Sequence, residues 1–334
     1  MTDPALVIGL PLYGRGEHLE EALESLLGQS RGDFAVIVSD DAADPEAKVV
    51  LDRFHDPRLQ YHCNERRLGL VGNWRHAFEL ARCEHPGARF FAWGSDHDAW
   101  HPQWAERLLA LLEAEPGTVL AFPRSYRTDR DGWTLRTKAW TFDTQGIQSR
   151  SKRVRAAVRG MSAGNMVYGM YRVEALERAG VFRHSLLPDR LLLSELSVQG
   201  HLRQVPERLF YRRVIEPPSI ERQRAAFWPD GAPRWSGAPW ALQHIVLFNG
   251  ALWRNGDALR ISVRERPWIA VAHAGASLLT NLGSSAGRIY YEKIMRRRSL
   301  KRMAVKLIGR VVVWLQARRW GSAVLRSARQ LMAR

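Results

Sequence analysis

"ALVIGLPLYGRGEHLEEALESLLGQSRGDFAVIVSDD" occupies residues 5–41. Its first apolar run, residues 5–11, reads as a buried strand. Residues 17–29 place Leu19, Leu23, Leu26 and Leu27 on one helical face. Residues 34–41 form a second apolar strand that ends in two acids, Asp40 and Asp41. Strand, amphipathic helix, strand is the unit of a parallel sheet, because two parallel strands need a crossover between them. The alternation continues with helix 45–55, strand 59–63, helix 69–83, strand 89–95, helix 102–116 and strand 118–123. A mostly parallel central sheet flanked by helices is therefore expected over the first 125 residues. In such sheets ligands collect at the carboxyl ends of the strands.

Both acidic clusters fall at strand carboxyl ends. One is Asp40-Asp41. The other is "GSDHDAW", residues 94–100, where Asp96 and Asp98 flank His97. A solvated turn is one reading, since Asp is a common turn former. Acidic oxygens alternating at a strand end also suit Mg²⁺ or Mn²⁺ held together with substrate phosphates.

Beyond residue 125 the periodicity fades to about 160, as in a loop or hairpin insertion. Residues 165–180 restore a strand and helix, 188–200 a helix opened by Pro188 and Asp189, and 202–214 a strand. Residues 217–240 are rich in Pro and Trp and read as a long functional loop. The chain is helical afterwards. The uncharged run 268–282 is too short to span a bilayer.

The 334 residues suffice for a full core and for one large domain or two smaller ones. Cys63 and Cys83 are too few for a disulfide framework and lack metal-ligand spacing, which fits a reducing, cytoplasmic setting. The first residues lack the basic and long apolar regions of a secretory leader. Net charge is +16, but fourteen Lys or Arg against the single acid Glu292 lie in 288–334. The rest is close to neutral. Cations concentrated in a terminal appendage argue against a nucleic-acid-binding domain face.

In order, "PLYG", "LESLLGQ", "FAVIVSDDAAD", "NERRLGLVGNW" and "SDHDAWHP" resemble the family 2 glycosyltransferases, inverting enzymes of the GT-A fold. The resemblance extends through "YGMYRVEALERAGVF" and "LLPDRLLLSELSVQGHLRQVPERLFYRR", covering about residues 5–215. It implies a catalytic domain over 1–215, with a nucleotide-sugar half to about 125 and an acceptor half from 126 to 215. Residues 216–287 would then be a Trp/Pro-rich loop and helices, and 288–334 a basic amphipathic tail.

The resemblance also implies roles. Pro11 and Tyr13 stand where the family packs its nucleobase. Asp40 and Asp41 stand where a carboxylate accepts from a uracil-type base and a ribose hydroxyl, the donor being a UDP-type nucleotide sugar. Arg67 matches a cation that meets the donor. Asp98 matches the usual ligand of a Mg²⁺ or Mn²⁺ ion bridging the diphosphate, and Asp96 would bind ribose or the metal. Two departures stand out: Ser95 and His97 occupy positions where acids are common. Asp189 matches the general base that deprotonates the acceptor hydroxyl, with Pro188 in the usual Glu slot; it also suits helix capping, and Glu195 is the fallback. Trp228, Trp235 and Trp240 would stack on acceptor sugars as a lid.

The tail puts Leu300, Met303, Leu307, Val311 and Trp314 on one helical stripe and Arg298, Arg302, Lys306 and Arg310 on another. That pattern suits an interfacial helix on anionic lipid, and equally a helix docked on the catalytic domain. The expectation is a metal-dependent inverting glycosyltransferase, peripheral on the inner face of a bacterial plasma membrane, acting on a glycan or lipid-linked acceptor of the cell surface. A nucleotidyltransferase-like enzyme and a nucleic-acid binder are the competing readings.

Overall fold

A computed structural model describes residues 3–14, 16–136, 140–214 and 220–283. The amphipathic-tail expectation for 288–334 lies outside the described residues.

Among the described residues, nine strands and the helices between them carry the alternation. They run β1 (Leu6–Leu12), α1 (Leu19–Leu27), β2 (Phe34–Asp40), α2 (Pro45–Leu51), β3 (Leu59–Cys63) and α3 (Gly69–Glu84). Then come β4 (Phe90–Trp93), the two-residue β5 (Ala99–Trp100), α4 (Trp104–Ala114), β6 (Thr118–Thr128) and the short β7 (Thr134–Leu135). The second half adds α5 (Arg150–Gly160), α6 (Ala163–Met166), β8 (Met170–Arg172), α7 (Val173–Ala179), α8 (Pro188–Gln199) and β9 (His201–Arg213). Helices α9 (Ile220–Phe227), α10 (Trp240–Asn255) and α11 (Arg266–Gly283) complete the described chain.

The strands join in the order β3-β2-β1-β4-β8-β6-β9-β5, with β7 beside β6. β1 pairs in parallel with both β2 and β4, β2 with β3, and β6 with β9. β8 runs against both β4 and β6, so all six of the longer strands point one way. The expected mostly parallel α/β sheet is present.

Two cores cover the sheet's faces. One gathers Leu6, Ile8, Leu10, Leu19, Leu23, Leu26, Val36, Val38 and the α4 leucines. The other gathers Val7, Ile37, Val71, Phe78, Phe91, Trp93 and Leu196. Because β1 and β2 are buried on both faces, they read as continuous apolar runs rather than alternating ones. A third cluster joins Val154 and Val158 of α5 and Leu191 and Val198 of α8 to Phe248, Leu252, Ile269 and Ala276 of α10 and α11.

Two segments differ from expectation. The region between 126 and 160, expected as a loop or hairpin insertion, extends β6 to Thr128, pairs it antiparallel with β7 as a hairpin would, and also contains the unforeseen α5. In α5 the apolar period of Val154, Ala157 and Val158 is masked by surrounding Arg and Lys. Arg153 is buried among them, donating to the carbonyls of Ser197, Ile147 and Val198. The Pro/Trp-rich segment contains the short helix α9.

Candidate active site

The carboxyl ends of β1, β2 and β4 converge because the three strands are adjacent and parallel. The Gly94 amide donates to the Gly9 carbonyl at 2.8 Å, continuing the β1/β4 register past Trp93. The acidic turn is thereby set beside Pro11 and Tyr13. Between them opens a cleft of about 260 Å³, lined by Pro11, Tyr13, Asp41, Arg67, Asn73, Trp74, Ser95, Asp96, His97 and Tyr168, among others. The Arg67 guanidinium lies 4.6 Å from the Tyr13 ring centroid, a cation–π contact at the cleft wall.

Asp41 builds that wall. Its Oδ1 accepts from the Leu68 amide at 2.5 Å and from Asn64 Nδ2 at 3.1 Å, and its Oδ2 accepts from the Gly69 amide at 2.8 Å. Those amides stand at the start of α3, where a helix has no partners of its own for them. Gly69, at φ +74°, also admits a close approach. A Cβ there would lie 2.8 Å from the Ala226 carbonyl and 2.7 Å from Pro229. Asp40 does not line the cleft. Its Oδ1 accepts from the amides of Ala42 and Ala43 at 2.9 and 3.2 Å, and its Oδ2 from the Tyr61 hydroxyl at 2.9 Å.

In the second cluster the side chains diverge. Asp96 faces the cleft, with Oδ1 2.5 Å from His97 Nδ1. Asp98 is buried, its Oδ1 accepting from the Arg213 amide at 2.8 Å. Its Oδ2 stands 4.0 Å from His97 Nε2. Burial alone would lower the pKa of His97; the Asp96 hydrogen bond and the Asp98 and Asp96 charges outweigh it, so the pKa is raised. Burial raises that of Asp98, against the pull of His97 and the Arg213 amide.

Sequence reasoning missed Arg213, which fastens this turn. Besides its amide bond to Asp98, its Nε donates to the His97 carbonyl at 2.9 Å, and its guanidinium bonds the Arg130 carbonyl and Glu21. No local sequence pattern pointed to it, because its partners lie 83 to 192 residues away. Asn73 was also missed. It donates to the carbonyls of Leu12 and Ser39, both at 3.0 Å, and so ties the ends of β1 and β2 together.

Asp189 stands in the first turn of α8, after Leu187 at φ +51°. Its Oδ1 accepts from the Arg190 amide at 2.9 Å. Burial raises its pKa against the opposing Arg190 amide, Arg190 charge and Arg212 charge. Its charge also reaches Tyr168, whose hydroxyl burial pushes upward and whose ring lines the cleft. Glu195 lies elsewhere: buried, with Arg183 Nε 2.7 Å from Oε1, and pushed up to about 7 by burial.

Trp228 lines a larger neighbouring cleft of about 680 Å³ that shares Arg67 with the first. Trp235 meets Trp228 edge-on at 5.8 Å. Trp240 is not part of this pair; it packs edge-on against His244 at 5.0 Å and lies under Arg190.

No group of three or more His, Cys, Asp or Glu among the described residues forms a ready metal cage. Mg²⁺ held between phosphates needs only one or two carboxylates and completes its shell with water and phosphate oxygens. Asp96, open to the cleft, fits that requirement.

A sequence model described as glycosyl transferase family 2 matches residues 7–180. Among curated proteins, the uncharacterized protein MT1568 of Mycobacterium tuberculosis (strain CDC 1551 / Oshkosh) is 29% identical over 134 residues, 40% of each chain. The chain thus matches about two-fifths of the length of that relative. Similar solved structures include S. aureus TarS 1–349 in complex with UDP, at 13% identity and TM-score 0.48, covering 85% of this chain and 92% of that one. The mannosyltransferase PcManGT from Pyrobaculum calidifontis, in complex with GDP-Man and Mn²⁺, is similar at 16% identity and TM-score 0.47, covering 84% and 87%.

Proposed function

The chain belongs to glycosyl transferase family 2, and on that premise we propose that it moves a sugar, with inversion, from a UDP-type nucleotide donor to an acceptor hydroxyl. The observation that carries this reading is the single cleft in which Pro11, Tyr13, Asp41 and Arg67 meet Asp96 and His97 at three parallel strand ends.

The nucleoside end of the donor lies between Pro11, Tyr13 and Arg67, with Asp41 behind it. Asp40 supports the turn beneath rather than the donor. Asp96, and Asp98 beside His97, are the carboxylates that would hold a Mg²⁺ or Mn²⁺ ion, which when bound would neutralise charge on the departing diphosphate. Asp189 takes the proton of the acceptor hydroxyl as that oxygen bonds to the anomeric carbon. The bond from that carbon to the diphosphate breaks on the opposite side, and its electron pair leaves with the nucleoside diphosphate. A carboxylate pushed upward by burial is a stronger base than one in water, which suits the role.

The 680 Å³ cleft beside Arg67, with Trp228 in its wall and Trp235 against it, accommodates the acceptor glycan. A basic segment at 288–334 holds the enzyme on an anionic bilayer, at the inner face of a bacterial plasma membrane, where a lipid-linked acceptor of surface glycan synthesis would be met. The test is a panel of nucleotide sugars scored for nucleoside diphosphate release with and without Mg²⁺ or Mn²⁺. Release from one donor, stimulated by the ion and dependent on an added acceptor, is expected. Absence of release from every donor with every acceptor extract tried sinks the reading.

A further inference from the structure

Helix α11 takes up the uncharged run identified in the sequence. Ile269, Ala272, His273 and Ala276 face inward and are buried. Trp268, Val271, Leu279 and Leu282 face outward and are 40–66% exposed. From Pro267 to Gly283 there is no Asp, Glu, Lys or Arg. A helix face in water ordinarily carries charge, and this one carries none over roughly 20 Å of axis at 1.5 Å per residue. The feature is regional. Of the fifteen exposed large apolar side chains among the described residues, eight lie between Trp235 and Leu282.

We propose that the outward face of α11 is a bilayer-docking surface, lying in the plane of an anionic membrane with Trp268, Val271, Leu279 and Leu282 among the upper acyl chains. This rests on the membrane part of the proposed function and names the surface that makes the contact. No described helix is long and apolar enough to cross a membrane, so an in-plane arrangement is the one its length allows. Close before Trp268 in the chain stand Arg260 and Arg264, both exposed and with no side-chain hydrogen bond or ion pair among the described residues. Directly after α11 the chain continues into a segment with fourteen Lys or Arg and one acid. The cations before Trp268 complement anionic headgroups, and tryptophan is favoured at the boundary between headgroups and acyl chains.

The experiment uses the full chain and phosphatidylcholine vesicles with and without phosphatidylglycerol. Val271→Glu with Leu279→Glu should lower the partition onto the anionic vesicles at least about tenfold, since two aliphatic side chains no longer enter the lipid. Val49→Glu, an equally exposed position on α2, should leave binding unchanged. Val271→Ser with Leu279→Ser repeats the comparison if the glutamate pair fails to fold, as judged by circular dichroism. Wild-type binding by the folded α11 variants overturns the inference. If they bind normally while Arg296→Glu, Arg297→Glu and Arg298→Glu together abolish binding, the membrane reading stands and the α11 surface falls. If the wild type ignores both vesicle types, both fall. A wild-type dimer that the α11 variants convert to monomers without altered lipid binding assigns the face to a second copy and also overturns the inference.

Discussion

Asp40-Asp41 and Asp96-Asp98 end parallel strands of one sheet, two positions apart, and their oxygens are engaged in different ways. At β2, three of the four carboxylate oxygens accept from backbone amides and the fourth from the Tyr61 hydroxyl. These partners are neutral and fixed by the chain path. At β4, Asp96 is held by the side chain of His97, and Asp98 by the Arg213 amide and the Ser95 side chain with His97 close by. An imidazole can rotate away, lose its proton or yield its place to another cation. A carboxylate satisfied by amides is architecture, whereas one whose partner can leave is available for chemistry.

That contrast is strongest for Asp96. Asp96→Ala should still fold and lose transfer by about 10²–10³, the scale of removing one group that meets developing charge. Steady-state kinetics with the preferred donor checks it, together with a melt. Wild-type turnover in Asp96→Ala would place the β4 cluster with the architectural one. Asp189→Asn, in the first turn of α8, should lose at least ~10² in turnover while keeping donor affinity. Weakened donor binding with intact turnover would make Asp189 a helix-start residue only.

Asp41→Ala should behave in the opposite way to Asp96→Ala. It leaves the Leu68 and Gly69 amides without their acceptor, at a cost of about 1–3 kcal/mol for each buried group left unpaired. Urea denaturation should show the loss, and KM for the donor should rise because the Arg67 wall loosens. Asp40→Ala should show a smaller destabilisation, about 1–2 kcal/mol, with kcat unchanged. A larger fall in kcat than in stability for Asp40→Ala would break the distinction between the two clusters.

The smallest effect is a slope with pH. His97 has a folded-state pKa above its ordinary value because the Asp96 bond and the neighbouring carboxylates outweigh burial. A base with a raised folded pKa binds its proton more tightly when folded. Its stabilisation is fully present below the unfolded value near 6.5 and is lost as pH rises through the raised one. Unfolding followed by urea from pH 6 to 8 should show this decline, and His97→Gln should flatten it. Asp40→Ala should retain it, since His97 is not among that residue's partners.

How much of this was legible in the sequence depended on where each partner lies. Periodicity located β1 to β4 and β6 because each of those strands is decided by its own apolar pattern, whereas the two-residue β5 inside the acidic turn was not foreseen. Helix α5 was hidden, since a buried arginine held by three carbonyls reads as surface charge until those carbonyls are placed. The two acidic clusters were visible, and so was their position at the strand ends. Their difference was not. By itself the sequence determined a parallel α/β sheet and put carboxylates at its carboxyl edge, because apolar period and turn chemistry are local. Tertiary structure alone decided that Asp96 faces the cleft while Asp98 turns inward. The reason is a single amide: Arg213 arrives on β9 from 115 residues away to occupy an Asp98 oxygen, and no local pattern announces a partner at that distance.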